Sequence, residues 1–238
     1  MLAFLAFLAL GSVSCAKLQA RDNLNKGVRA FRDAKYEAAI SFFQEAMKLD
    51  PGLTYAELYL ATAYAQQFIP GATSEENQKM ADMAIQTFDR VLQREPENPF
   101  AVAGLAGIYY NTNQFQKSRE YHLKTVTIDP MNAVAHYSVG SVNWVIVADK
   151  ITPPSPEEKT QLIEEGLQHL DTALMINPDY DDAMSYKNLL IRQKAELAAT
   201  EEEKAKLIAE ADEWFNKALD TRKRNQEKKQ GPGGITLE

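Results

Sequence analysis

With 238 residues, 45% of them apolar and 25% charged, the chain has an ordinary globular composition and can bury a core. A single cysteine excludes a disulfide framework and any zinc site built on several thiolates. Its 26 Lys and Arg against 33 Asp and Glu give a net charge of −7, which offers nucleic acid no basic field, so no nucleic-acid partner is expected.

The chain opens on an apolar run, Leu2 to Leu10, followed by Gly11-Ser12-Val13-Ser14-Cys15, and its first charge is Lys17. A spanning helix needs about 20 apolar residues. This shorter run has the length of the apolar region of a cleaved leader, so residues 1–19 read as a leader and short linker. Small residues ending in the only cysteine resemble the lipobox of bacterial lipoproteins, a family in which the leader is removed and the cysteine carries lipid. The resemblance implies lipidation of Cys15, membrane contact through that anchor, and an exported, periplasm-facing protein of a bacterial envelope. A retained N-terminal anchor, or a cytoplasmic location, stays open.

Beyond the leader the organising feature is a set of prolines. Leu49-Asp50-Pro51, Arg94-Glu95-Pro96, Ile128-Asp129-Pro130 and Ile176-Asn177-Pro178 are similar phrases, spaced by 45, 34 and 48 residues. In one register they carry small residues (Gly27, Ala39 and Ala46; Ala106 and Ser118) alternating with large ones (Tyr36 and Phe43; Leu105, Tyr109 and Phe115). Small residues let two helices approach, large ones fill the space between them, and proline ends the second helix. The pattern resembles the tetratricopeptide repeat, whose period is about 34 residues.

That resemblance covers residues 20–225 and implies an all-α, right-handed superhelix of antiparallel helix pairs. Five repeats are read, over about 20–53, 54–98, 99–132, 133–180 and 181–225. The second, fourth and fifth carry inserts of 11, 14 and 11 residues between their two helices, at 65–78, 145–158 and 193–206. These inserts are expected either as lengthened helices or as an extra docking edge. Residues 226–238, with Gly231-Pro232-Gly233-Gly234, read as a flexible tail.

No constellation of catalytic groups emerges, and no enzyme activity, cofactor or metal is expected. His122, His136 and His169 are fourteen or more residues apart, and the first two fall at packing positions of the repeat. Asp179-Tyr180-Asp181-Asp182 opens like a calcium loop but has Met184 where the loop needs glycine, and acids opening a helix explain it. The basic tract Arg222-Lys223-Arg224 with Lys228-Lys229 reads as charges near a helix C-terminus.

In tetratricopeptide proteins the first helix of each repeat lines a concave groove. Carried onto this chain, the groove positions include Phe31, Tyr55, Phe100, Tyr110, Tyr137, Trp144 and Arg192, with Leu24 and Val28 where the carboxylate-clamp members need Lys and Asn. The expected function is that of a protein-binding scaffold or assembly subunit of a cell-envelope complex, holding a partner segment through Phe31, Tyr55, Tyr110, Tyr137, Trp144 and Arg192. Packing of these rings within the fold is the competing expectation. A membrane-anchored or cytosolic adaptor, and more remotely a helical-repeat enzyme, are the alternatives, and homo-oligomerisation is left open.

Overall fold

In the computed structural model, residues 2–230 are described, with side chains for 15–228. They form ten helices and no strand among the described residues: α1 (Leu2–Arg32), α2 (Tyr36–Leu49), α3 (Thr54–Gln67), α4 (Glu75–Arg94), α5 (Pro99–Asn111), α6 (Phe115–Ile128), α7 (Ala133–Ala148), α8 (Pro156–Ile176), α9 (Asp181–Ala195) and α10 (Glu201–Gln230). The side chains of residues 1–14, read as leader, and the residues from 231, read as tail, lie outside the described residues, whereas 226–230, also read as tail, continue α10.

The four proline phrases act alike. α2, α4, α6 and α8 each end two residues before the proline. The intervening residue donates its N–H to the helix: Asp50 to Ala46 O, Glu95 to Val91 O, Asp129 to Thr125 O and Asn177 to Ala173 O, all at 2.8–2.9 Å. The same residue's carbonyl then accepts from the residue three further on: Leu53, Asn98, Asn132 and Tyr180. Proline thus occupies the second place of four equivalent β-turns, where its fixed φ is favourable and its missing N–H is not needed.

Where no insert intervenes, the turn between first and second helix is three residues long. α1 closes with Lys35 N–H on Ala30 O and Ala34 N–H on Phe31 O, and α5 closes with Gln114 N–H on Tyr109 O and Asn113 N–H on Tyr110 O. Both are Schellman closures, which require a left-handed residue. Ala34 (φ 56°) and Asn113 (φ 59°) fill that place. The inserts of the other repeats lengthen the second helices, α4, α8 and α10, to 20, 21 and 30 residues, and leave joins at 68–74, 149–155 and 196–200. Asn77, buried in α4, pins the first join by accepting from Ile69 N–H and donating to the carbonyls of Ile69 and Ala72.

The helices fall into two compact units, one ending at Gln114 and one beginning at Phe115. The division runs through the third repeat, between α5 and α6. In the first unit α1 pairs with α2, α3 with α4, and α5 packs on α4; in the second, α7 packs on α6 and α8, and α9 on α8 and α10.

Each second helix seats a large residue on small ones. Phe43 in α2 is fully buried between Ala39 and Ala46, and a Cβ added at Gly27 of α1 would collide with its ring. The ring is covered from the next repeat by Tyr59 of α3, stacked at 5.5 Å. Phe88 of α4 repeats the arrangement, with Gly104 of α5 giving it room. Leu170 of α8 does so in the second unit, within a cluster against which Tyr186 of α9 packs. Each buried aromatic or leucine of this kind contributes on the order of 2 kcal/mol.

Ala34 carries the left-handed strain that glycine would not. Ala34→Gly is expected to stabilise the protein by about 1 kcal/mol, read as a higher urea midpoint, and Asn113→Gly by less, because asparagine tolerates this conformation.

Candidate functional site

The first unit presents an apolar cavity of about 200 Å³ lined by Tyr55, Leu58, Tyr59, Thr62 and Phe100. Tyr55 opens α3, and Phe100 opens α5, where Asn98 caps the helix by accepting from the N–H groups of Phe100 and Ala101. Both rings are unusually exposed for their size, 63% for Tyr55 and 65% for Phe100. Leu58 is buried beneath them, and Thr62 turns its hydroxyl back to Leu58 O at 2.8 Å, so the floor presents methyl and methylene surface. Phe31 is half-buried and meets Tyr36 and Tyr59 edge-on at 5.4 and 6.1 Å. It therefore supports Tyr59, a wall of the cavity. Tyr110, near the end of α5, is 36% exposed and does not line the cavity.

Beside the cavity, Glu95 accepts from Thr54 Oγ1 at 2.8 Å and Asn98 Nδ2 at 2.6 Å. These hydrogen bonds, Asn98's first, hold its carboxyl below the usual range. The rim of the apolar pocket therefore carries a fixed negative charge.

The second unit uses its expected groove residues differently. Tyr137 packs against Tyr180 at 4.9 Å and Tyr186 at 5.6 Å, and Trp144 meets Tyr186 edge-on at 5.6 Å. Both rings lean on the buried cluster of α7, α8 and α9. They are half-buried seam residues rather than an open lining. Arg192 is held by Asn188 at 2.9 Å and Asp212 at 2.5 Å, which ties α9 to α10. Of the expected binding residues, Tyr55 alone lines the cavity. Phe100, also a groove position, stands opposite it.

Among solved structures, the chain is similar to a MamA double mutant (RS-1 ArsTM; TM-score 0.66, 18% identity, covering 88% of this chain and 97% of that one). It is also similar to MamA residues 41-end from Desulfovibrio magneticus RS-1 (0.66, 16%, 88% and 98%). A third is YrrB, described as a TPR protein with an unusual peptide-binding site (0.58, 16%, 84% and 90%). The sequence matches no protein-family profile and no curated protein. At these identities the likeness is one of fold. The chain has the tetratricopeptide-repeat fold.

Repeat register accounts for the titratable groups. His122 stands in α6 where the first and second repeats have Phe43 and Phe88, and burial there pushes its pKa down to about 4. His136 is buried, and its Nε2 lies 3.1 Å from Pro130 O. A carbonyl can only accept, so Nε2 carries a proton, and Nδ1 shares a hydrogen bond with His169 Nδ1 at 2.8 Å. Burial, then the facing His136, depresses the pKa of His169. One turn away, Glu165 receives Arg119 at 2.6–2.9 Å and Asn143 Nδ2 at 2.8 Å. Burial pushes this carboxyl up, but the hydrogen bonds and the Arg119 charge outweigh it and leave it below the usual range. These clusters are internally satisfied, and no group of three or more metal-ligating side chains occurs among the described residues.

The acidic and basic tracts of the sequence find each other. Arg222 bonds Asp181 at 2.7 Å and Asp182 at 3.0 Å, Lys228 reaches Asp179 at 3.0 Å, and Asn225 donates to Asp179 O and Asp181. The sequence signal for this was only a block of each sign about 40 residues apart.

A histidine held neutral by burial takes up fewer protons folded than unfolded, so stability is whole above its ordinary pKa and falls as pH drops toward the folded value. Between pH 6.5 and 4, His122 alone is expected to remove about 3 kcal/mol. Urea titrations at a series of pH values should show this loss, and His122→Leu should flatten it over that interval.

Proposed function

We propose that this chain is a protein-binding scaffold that takes an apolar anchor side chain of a partner segment between Tyr55 and Phe100. The observation that carries the reading is the pairing of two largely exposed aromatic rings over an apolar floor, on consecutive first helices of the repeat. Aromatic rings with few rotatable bonds supply contact area at low entropic cost and are common anchors of binding energy. Glu95 at the rim favours a basic residue beside the anchor. YrrB, which shares the fold and is described as having a peptide-binding site, supports a peptide as the class of ligand.

We further propose that the scaffold works at a bacterial envelope as an accessory or assembly subunit, tethered through lipid on Cys15. The small-residue run ending in the only cysteine supports this, as does the exposure of Cys15 on α1. No helix among the described residues is long and apolar enough to cross a membrane.

A random peptide library displayed to the full chain should enrich segments with an aromatic or large aliphatic anchor flanked by Lys or Arg. Tyr55→Ala with Phe100→Ala should weaken those peptides by about a hundredfold, the effect of two anchor residues, with an unchanged thermal melt. Peptides that bind the double variant equally well would overturn the pocket. Mass spectrometry of the protein from its native membrane should find a chain beginning at a diacylated Cys15, and an intact leader there would overturn the tether.

A further inference from the structure

The large residue of the fifth repeat's second helix, α10, is left uncovered among the described residues. In the first, second and fourth repeats the large residue of the second helix is covered by the next repeat's first helix. Phe43 lies under Tyr59, Phe88 against Gly104, and Leu170 in the cluster against which Tyr186 packs. Their exposures are 0%, 2% and 0%. Phe215 holds the same place in the fifth repeat and is 46% exposed, with Leu219 one turn on at 47%.

α10 carries two stripes of heptad spacing side by side. One, from Leu207 through Ala211, Trp214, Ala218, Thr221 and Asn225, is buried or half-buried along its length, and α9 packs on α10; Ile208, beside it, is half-buried too. The other runs Ile208, Asp212, Phe215, Leu219, Arg222 and Gln226, with exposed Lys223 on its flank.

The charges of α10 are polarised along its length. Residues 201–213 hold six acids and two lysines, and residues 214–228 hold five cations and two acids. α9 has the same polarity, with Asp181 and Asp182 in its first turn and Arg192 and Lys194 in its last. Running antiparallel to α10, it places Asp181 and Asp182 on Arg222, and Arg192 on Asp212. A second α10, antiparallel and on the outer stripe, would repeat that match.

We propose that the outer stripe of α10 is a self-association surface, on which α10 of a second copy packs antiparallel about a two-fold axis between Phe215 and Leu219. Phe215 of each copy lies on Leu219 of the other, and Asp212, which also bonds Arg192 of its own α9, faces Lys223. The partner helix covers Phe215 as α3 covers Phe43. Such an interface is isologous and closes at two copies. With two apolar anchors per copy it belongs to the small, weak class, below about 1,200 Å².

Sedimentation equilibrium of the full chain over a range of concentrations tests this. A monomer–dimer equilibrium is expected, weakened at least about tenfold by Phe215→Glu with Leu219→Glu while the helical melt is kept. Lys223→Asp and Asp212→Lys should each weaken the dimer by about tenfold, and the double exchange should restore it, because the charges then face each other again. That restoration distinguishes pairing from damage to the fold. A chain monomeric throughout overturns the proposal and leaves the stripe to a different protein's helix. A dimer untouched by Phe215→Glu with Leu219→Glu overturns it too.

Discussion

The fold depends on a ring that its own repeat cannot bury. Phe43 needs the gap left by Gly27 within its helix pair, and it also needs Tyr59 from the next pair. Helices of about 14 residues are marginal alone, so the neighbour supplies what the pair lacks. The same constraint explains two chemical oddities. A histidine at this place in the third repeat, His122, loses its charge because the place is dry. A phenylalanine at this place in the fifth repeat, Phe215, is 46% exposed, with no helix after α10 among the described residues to cover it.

Helix ends and pairing were readable from the chain because they rest on local rules. A proline two residues past a helix, or a small residue at a crossing, acts through its immediate backbone. Lengthening of α4 and α8 was one of two open readings of the inserts, and the chain could not choose because stretches such as Ser74-Glu75-Glu76 and Ser155-Pro156-Glu157 suit a helix start or a loop equally. The site was less legible. Periodicity assigned Tyr55, Tyr137 and Trp144 to the same kind of position, yet Tyr137 and Trp144 are drawn into a seam by Tyr180 and Tyr186 of α9 and the turn before it. What separates an open ring from a packed one is whether rings of another element meet it, which the periodicity within one repeat does not carry. The docking of Arg222 and Lys228 on Asp179 to Asp182 was hidden for a related reason. Each block has a sufficient local explanation at its own helix end, so neither calls for the other.

The inserts raise a separate question, since a join of five or seven residues no longer fixes how far one helix slides along its partner. In the first repeat the three-residue Schellman turn fixes that register, and the ion pairs from Asp22 to Lys48 stay within a helix or turn. In the second repeat Glu57 of α3, nearly fully buried, takes Arg90 and Arg94 from successive turns of α4. In the fourth, Asn143 of α7 binds Glu165 and Leu162 O of α8, with Arg119 of α6 closing the cluster. In the fifth, Arg192 and Asp181 of α9 take Asp212 and Arg222 of α10. A one-turn slip of α4 would leave the Glu57 carboxylate buried without its partners, which costs several kcal/mol. Apolar packing alone would not resist it so strongly, because residues one turn apart on a helix are near-equivalent in shape. Charge thus takes over the task of the short turn in the repeats whose helices have outgrown it. In the fourth repeat it does so with a cluster whose hydrogen bonds are all internal.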